Sequence, residues 1–397
     1  MDNPFEDEQI KDIRAIMASE GPAAAAAKIQ ECLDEQNNIP LNIGITGESG
    51  SGKSTFVNAF RGVDNRDDGA APTGCVETTM EATSYPHPNY PNVILWDLPG
   101  IGTTNFPADE YLQHVGFERF DFFIIISADR FRENDVKLAL EIQKMKKKFY
   151  FVRSKIDHNL HDAERSQREF NAERTLQEIR DNCIQGLVKQ GVESPQVFLV
   201  SSFDLHLHDF PLLQQTLERE LPAHKRDVLL LAMPNISLEV ISKKKEALQD
   251  KIKYLASASA LAATVPVPGL SCAADLTMLA TAIAGYQVSF GLNTESLQNL
   301  ACRTKVPLAD LRAVMTSPLS AKKITVDLIF KVLCFSVADL AIMAAEEGFR
   351  FVPFIGIPIA SALSSAFTYK ALSTSLDMLA EDAQNVFTKA LGLNTAV

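Results

Sequence analysis

Gly47-Glu48-Ser49-Gly50-Ser51-Gly52-Lys53-Ser54 is a complete G-x-x-x-x-G-K-[ST] loop, set between an apolar run at 41–46 and a helical segment at 55–61. In a strand–loop–helix setting, the backbone N–H groups of residues 48–53 curl around the α- and β-phosphates of a nucleoside triphosphate. The N-terminus of the following helix adds the positive end of its dipole there. Lys53 is expected to reach the β- and γ-phosphates and Ser54 to bind Mg²⁺. Thr55, next along, joins the phosphate-binding candidates.

Two later segments choose the base. Asp97-Leu98-Pro99-Gly100 closes a second apolar run at 92–96, which puts Asp97 at a strand tip, near enough to support Mg²⁺ through its water shell. Gly100 offers the γ-phosphate an unhindered N–H. A third run, 149–153, leads into Ser154-Lys155-Ile156-Asp157, an [NTS]-K-x-D pattern. A carboxylate at Asp157 accepts from both the ring N1–H and the 2-amino group of guanine, a pairing adenine cannot make, while the Lys155 stem lies along the base. This order of motifs predicts GTP and GDP as ligands rather than ATP. A further run at 196–200 enters Ser201-Ser202-Phe203, where a backbone N–H is expected to meet the guanine O6.

These motifs need strands to end beside one another. Apolar runs at 41–46, 92–97, 121–127, 149–153 and 196–200 alternate with helical segments near 53–61, 108–118, 132–148, 163–190 and 209–221. That alternation predicts a mainly parallel sheet covered on both faces, with ligands at the carboxyl ends of its strands. Residues 5–37 are helical in pattern, broken at Gly21-Pro22, and 223–397 read as consecutive helices. The expected fold is therefore an α/β P-loop GTPase domain plus an all-α helical domain built from N- and C-terminal segments. The divisions fall at 1–38 (helices packing on the helical domain), 39–222 (the GTP-binding domain) and 223–397.

Composition narrows the setting. A chain of 397 residues has length for about two domains, and its six cysteines show no C-x-x-C spacing, so neither a disulfide framework nor a zinc site is expected. A net charge of −12 disfavours a nucleic-acid partner. The start, Met1-Asp2-Asn3-Pro4, matches neither a signal peptide nor a myristoylation signal, which predicts a cytoplasmic chain.

The chain resembles the interferon-inducible immunity-related GTPases, in the branch with Gly-Lys-Ser in the loop. The resemblance rests on Gly74-Cys75-Val76-Glu77-Thr78-Thr79-Met80, Tyr85-Pro86-His87-Pro88, Leu95 to Gly102 and Phe149 to Asp157. Outside that half it continues in Asp209-Phe210-Pro211, Ser289-Phe290-Gly291-Leu292 and Leu379-Ala380-Glu381-Asp382-Ala383. It implies that Thr79 binds Mg²⁺ and the γ-phosphate and that Glu77 orients water, with Thr73 in the same switch. Lys53, Glu77 and Thr79 are then the catalytic set. It also implies GTP-dependent self-association through the GTP-binding domain, peripheral contact with intracellular membranes and a role in defence against intracellular pathogens. Small regulatory GTPases place a glutamine just after Asp-x-x-Gly, but here Ile101-Gly102-Thr103-Thr104 follows, so slow unassisted hydrolysis is expected. A scaffold that binds GTP or GDP with little hydrolysis is the alternative.

From 255 to 302 the only charged residues are Asp275 and Glu295, with Pro266-Val267-Pro268-Gly269 as a break. Tightly packed core helices, membrane-surface contact and insertion are all consistent with that stretch. Lys243–Lys245 is either the polar side of a helix or a contact for anionic headgroups. Lys144, Lys146, Lys147 and Lys148 read as a solvated helix end, and His158, His161, His206 and His208 as loop histidines without metal spacing.

Overall fold

The computed structural model describes residues 7–74, 81–99, 115–128, 133–262, 270–320, 322–325, 328–329, 332 and 362–392. They form two compact units, Ile39–Ile236 and the joined segments Met1–Asn38 and Ser237–Val397.

The first unit is built on a six-stranded sheet. Its strands are β1 (Leu41–Thr46), β2 (Thr83–Pro86), β3 (Val93–Asp97), β4 (Phe122–Ser127), β5 (Lys148–Arg153) and β6 (Val197–Leu199), in the order β2-β3-β1-β4-β5-β6. All neighbours run parallel except β2, which pairs antiparallel to β3. The central strand reads Phe-Phe-Ile-Ile-Ile-Ser and is buried throughout, as a parallel strand covered on both faces requires. Phe123 and Ile125 turn to one face, among Leu138, Ile142, Cys183 and Leu187. Those partners come from α4 (Glu133–Lys144) and α6 (Ala172–Lys189). α3 (Lys53–Phe60) and α7 (Phe210–Glu220) meet through Phe56, Phe60 and Phe210, with ring centroids 6.1–6.3 Å apart.

Several elements depart from the apolar-run reading. β2 has no apolar run; it is an exposed edge strand, where Pro86 is tolerated because one side needs no ladder partner. The segment at 163–190 divides into α5 (Ile156–Ser166) and α6, with the Asn171 side chain capping α6 by accepting from the Arg174 N–H at 2.9 Å. Residues 108–114 of the expected helix at 108–118 lie outside the described residues, and a 3₁₀ turn occupies Phe117–Arg119. The lysines at 144–148 are not one helix end. Lys144 closes α4, Lys146 takes φ 56° in the turn, Lys147 donates to the Glu118 and Phe120 carbonyls, and Lys148 opens β5. The first unit also continues past 222, because α8 (Ala223–Ala232) buries Val228 to Ala232 and packs on β1 and β3. Lys225 of α8 is paired with Asp121 at 2.5 Å.

In the second unit α1 (Asp7–Ser19) and α2 (Pro22–Asn37) share a core with α9 (Leu238–Ala262): Ile13, Ala25, Ile29 and Leu33 against Tyr254, Ala256, Ala260 and Leu261. Gly21, at φ 93°, turns the chain between α1 and α2. α13 (Ala362–Ala390) packs along α9, and α10 (Leu270–Ser289) along α13. α11 (Thr294–Thr304) and α12 (Leu308–Ala313) complete the described helices. Asp382 of α13 is fully buried and accepts from the Thr316 and Ser317 N–H groups and from the Thr316 and Ser320 hydroxyls. The three lysines at 243–245 are engaged within the chain: Lys243 with Glu239, Lys244 with the Ser289 carbonyl and Lys245 with Asp377. Among the described residues no helix is long and apolar enough to cross a membrane. Much of the 255–302 stretch is core, Ala256, Ala260, Leu261, Leu279, Ile283 and Leu297 included, while its Pro-Gly break lies outside the described residues.

Candidate nucleotide site

The register aligns the carboxyl ends of the strands. Ile45 pairs with Asp97, Thr46 with Ile125, and Ser127 with Arg153. The first polar residues after three apolar runs therefore come out side by side on one edge, where open α/β sheets hold ligands.

After β1 the chain turns sharply through three glycines at positive φ: Gly47 at 137°, Gly50 at 77° and Gly52 at 94°. Gly47 is also a close approach, since a Cβ there would lie 2.1 Å from the Ile126 carbonyl oxygen of β4. Only a residue without a side chain lets the loop pass so near the central strand. The outer part, Ser49 and Gly50, is exposed, whereas Ser51 and Lys53 are buried. The Lys53 ammonium donates to the Glu48 carbonyl at 2.9 Å, inside the curl of the loop. Glu48 is itself steadied by the Asn134 amide of α4, at 3.1 Å from its carboxylate. α3 begins at Lys53 with no acidic residue in its first turn, so the positive end of its dipole is not offset.

Ser54 and Asp97, 43 residues apart in sequence, meet: the Ser54 hydroxyl donates to Asp97 Oδ2 at 2.6 Å. Asp97 is wholly buried at the tip of β3. Thr55 follows half-buried in the first turn of α3. Gly100, Glu77 and Thr79 lie outside the described residues; Thr73 is described and exposed.

The base-reading candidates close the site from the other side. The Ser154 N–H donates to the Ser127 carbonyl at 2.8 Å, and its hydroxyl reaches the Ser51 carbonyl at 2.6 Å. Lys155, at φ 57°, extends its ammonium to the Gly50 carbonyl at 2.9 Å. Two consecutive residues of one loop thus tie to two consecutive residues of the other. Asp157 follows in the first turn of α5, its carboxylate partly exposed and 3.9 Å from the His158 ring. Ser201 is buried beside this loop, held there by the Val200 N–H donating to the Arg153 carbonyl at 2.8 Å; Ser202 is half-buried. His158, His206 and His208 form no metal cluster, and among the described residues no group of three His, Cys, Asp or Glu could hold an ion.

Two contributors escaped the sequence reading. Ser127 receives the base loop, and its hydroxyl donates to Asp135 of α4 at 2.7 Å; its signal was that it is the polar residue that closes an apolar run, as Asp97 is. Asn134, which holds Glu48, carried no signal short of three-dimensional neighbourhood.

Comparison with known proteins adds kinship to this geometry. Residues 6–390 match the family model for interferon-inducible GTPase (IIGP). The chain is 42% identical over 386 residues to interferon-inducible GTPase 5 of Rattus norvegicus, covering 97% of this chain and 83% of that protein. It is 38% identical over 370 residues to interferon-gamma-inducible GTPase 10 of Mus musculus, covering 93% and 86%. It is 42% identical over 291 residues to interferon-inducible GTPase 1 of Mus musculus, covering 73% and 70%.

Proposed function

The chain belongs to the interferon-inducible GTPase family and is a GTP hydrolase, and from that premise we propose how its residues divide the work. The unit Ile39–Ile236 is the GTP-binding domain. Residues 47–55 wrap the phosphates, with Lys53 neutralising charge that builds on the β- and γ-phosphates during transfer. Ser54 and Asp97 bring hard oxygens 2.6 Å apart, the donor type Mg²⁺ selects; with Thr79 they would hold that ion, which when bound would offset phosphate charge. Gly100 donates its N–H to the γ-phosphate. Asp157 reads the N1–H and 2-amino group of guanine, Lys155 lies along the ring, and the 201–202 backbone meets O6. Glu77 orients the attacking water, the task a glutamine performs in small regulatory GTPases.

The observation that carries this reading is the convergence of the phosphate loop, the β3 aspartate and the base loop at one sheet edge, joined by the Ser54–Asp97, Ser154–Ser51 and Lys155–Gly50 hydrogen bonds. Nothing in that convergence needs a nucleic acid, and the net charge of −12 opposes one. We further propose that this chain self-associates through its GTP-binding domain when GTP is bound, contacts intracellular membranes peripherally and serves innate defence, a reading that rests on the resemblance of its motifs to the immunity-related GTPases.

Asp157→Asn tests the assignment. An amide pairs with a carbonyl where guanine carries its amino group, so GTP affinity is expected to fall by about 10²-fold while xanthosine triphosphate becomes a substrate. An unchanged preference for GTP would show that another segment reads the base.

A further inference from the structure

Asn58 lies on α3, five positions after Lys53, with no exposed surface. A buried carboxamide must find partners for its polar atoms, and this one finds them on a single loop. Its Oδ1 accepts from the Ala71 N–H at 2.7 Å, and its Nδ2 donates to the Ala71 carbonyl at 2.9 Å and to Asn65 Oδ1 at 2.9 Å. Gripping both backbone groups of one residue fixes that residue, and the peptides on either side of it, in position and orientation, as a strand neighbour would. Ala71 is fully buried beneath the grip.

The rest of the loop is secured around that point. Arg61, at the end of α3, donates to the Gly69 carbonyl at 3.2 Å and the Pro86 carbonyl of β2 at 3.1 Å, with its guanidinium 5.4 Å from the Tyr85 ring. Asp64 and Asp67 close a turn between them, the Asp64 N–H donating to the Asp67 carboxylate at 2.9 Å. The helix whose first turn carries Lys53 and Ser54 therefore carries, on its second turn and at its C-cap, the anchor of the chain that runs on through Thr73.

We propose that Asn58 is a positioning residue for triphosphate recognition and turnover, because its grip on Ala71 fixes the course of the chain up to Thr73, the start of the segment that the proposed function assigns to the γ-phosphate and the attacking water. This rests on the assignment of that segment to the γ-phosphate and the attacking water. GDP lacks the γ-phosphate, so loss of the grip acts on GTP far more than on GDP. A role confined to packing would weaken both alike.

The test compares Asn58→Ala with Asn65→Ala, which gives up one hydrogen bond of Asn58 and keeps the Ala71 grip. Fluorescent-nucleotide titration supplies the GTP-to-GDP affinity ratio, with a non-hydrolysable analogue for GTP, and steady-state turnover supplies kcat. For Asn58→Ala the ratio and kcat are each expected to fall about tenfold or more, since displacements of about 1 Å cost on that scale, with GDP affinity within threefold of the parent. Asn65→Ala is expected to stay near the parent in all three. A parental ratio and kcat in Asn58→Ala, or equal losses for GTP and GDP, would overturn the inference. Should Asn58→Ala fail to fold, as thermal unfolding would report, the same criteria apply to the equal-sized Asn58→Asp, which keeps the acceptor and loses both donors. Thr79→Ala separates the premise: if it too leaves the ratio unchanged, the segment's assignment falls, whereas a fall in Thr79→Ala alone removes only the role of Asn58.

Discussion

Gly47→Ala is the sharpest perturbation this site offers, because the cost follows from one distance and one angle. A Cβ at Gly47 would stand 2.1 Å from the Ile126 carbonyl oxygen, where real Cβ contacts stay at or beyond 3.0 Å. The loop must therefore retreat from β4 by at least about 0.9 Å, the difference between those two distances. The backbone at φ 137° adds strain, about 1–3 kcal/mol for a residue held in a region foreign to L side chains. A retreat of that size moves the amides of residues 48–53 off the phosphates. About 10²-fold in GDP affinity, and at least as much in kcat/KM for GTP, is then expected to be lost.

Gly191→Ala is the matched control. Its φ of 94° is also left-handed, but a Cβ there meets nothing within 4 Å. About 1 kcal/mol of backbone strain lowers Tm by about 3 °C in a unit of this size and leaves nucleotide affinity at the parental value. The assay is titration with a fluorescent GDP, steady-state GTP turnover and thermal unfolding on all three proteins. If Gly47→Ala matched the parent in affinity, turnover and Tm, the loop would not lie against β4 and the geometry argued from it would be wrong.

Two other outcomes bear on the rest of the chain. Burial pushes the Lys244 ammonium from its ordinary 10.5 down to about 7, so between those pH values the unfolded chain binds a proton the folded chain does not. Stability therefore rises with pH across that window, by up to about 1.4 kcal/mol per unit, and Lys244→Met is expected to flatten the rise; parallel urea midpoints for variant and parent from pH 7 to 10 would refute it. Membrane association is expected to be peripheral and GTP-strengthened, since assembly lets many weak sites act together. Liposome flotation with GDP or a non-hydrolysable GTP analogue, followed by a carbonate wash, checks this, and protein that resists carbonate with either nucleotide would mean insertion instead.

Much of the candidate site was legible without coordinates. A phosphate loop is a local object: its glycines, lysine and serine work because of where adjacent residues put their own N–H groups, and Gly47 to Ser54 carry that within eight positions. Apolar runs announced all five of the parallel strands and their tips, so Asp97, Ser154 and Asp157 could be placed at an edge from pattern alone. Family resemblance extended the reading to Glu77 and Thr79, which no periodicity distinguishes from other loop residues.

What the sequence left open depends on which distant segments become neighbours. β2 buries none of its residues and so carried no run. α8 reads as one helix among many, and only its burial against β1 and β3 assigns it to the sheet unit. The lysines at 243–245 read as a possible headgroup contact until Glu239, Ser289 and Asp377 came within reach. The same holds for Ser154 meeting Ser51 across 103 positions and for the Asn58 grip on Ala71 across 13. Hydrogen bonds and ion pairs act over about 3 Å, whereas sequence patterns record only which face of an element is apolar. Long-range partners are therefore decided by topology and register, which exist only once the chain has folded.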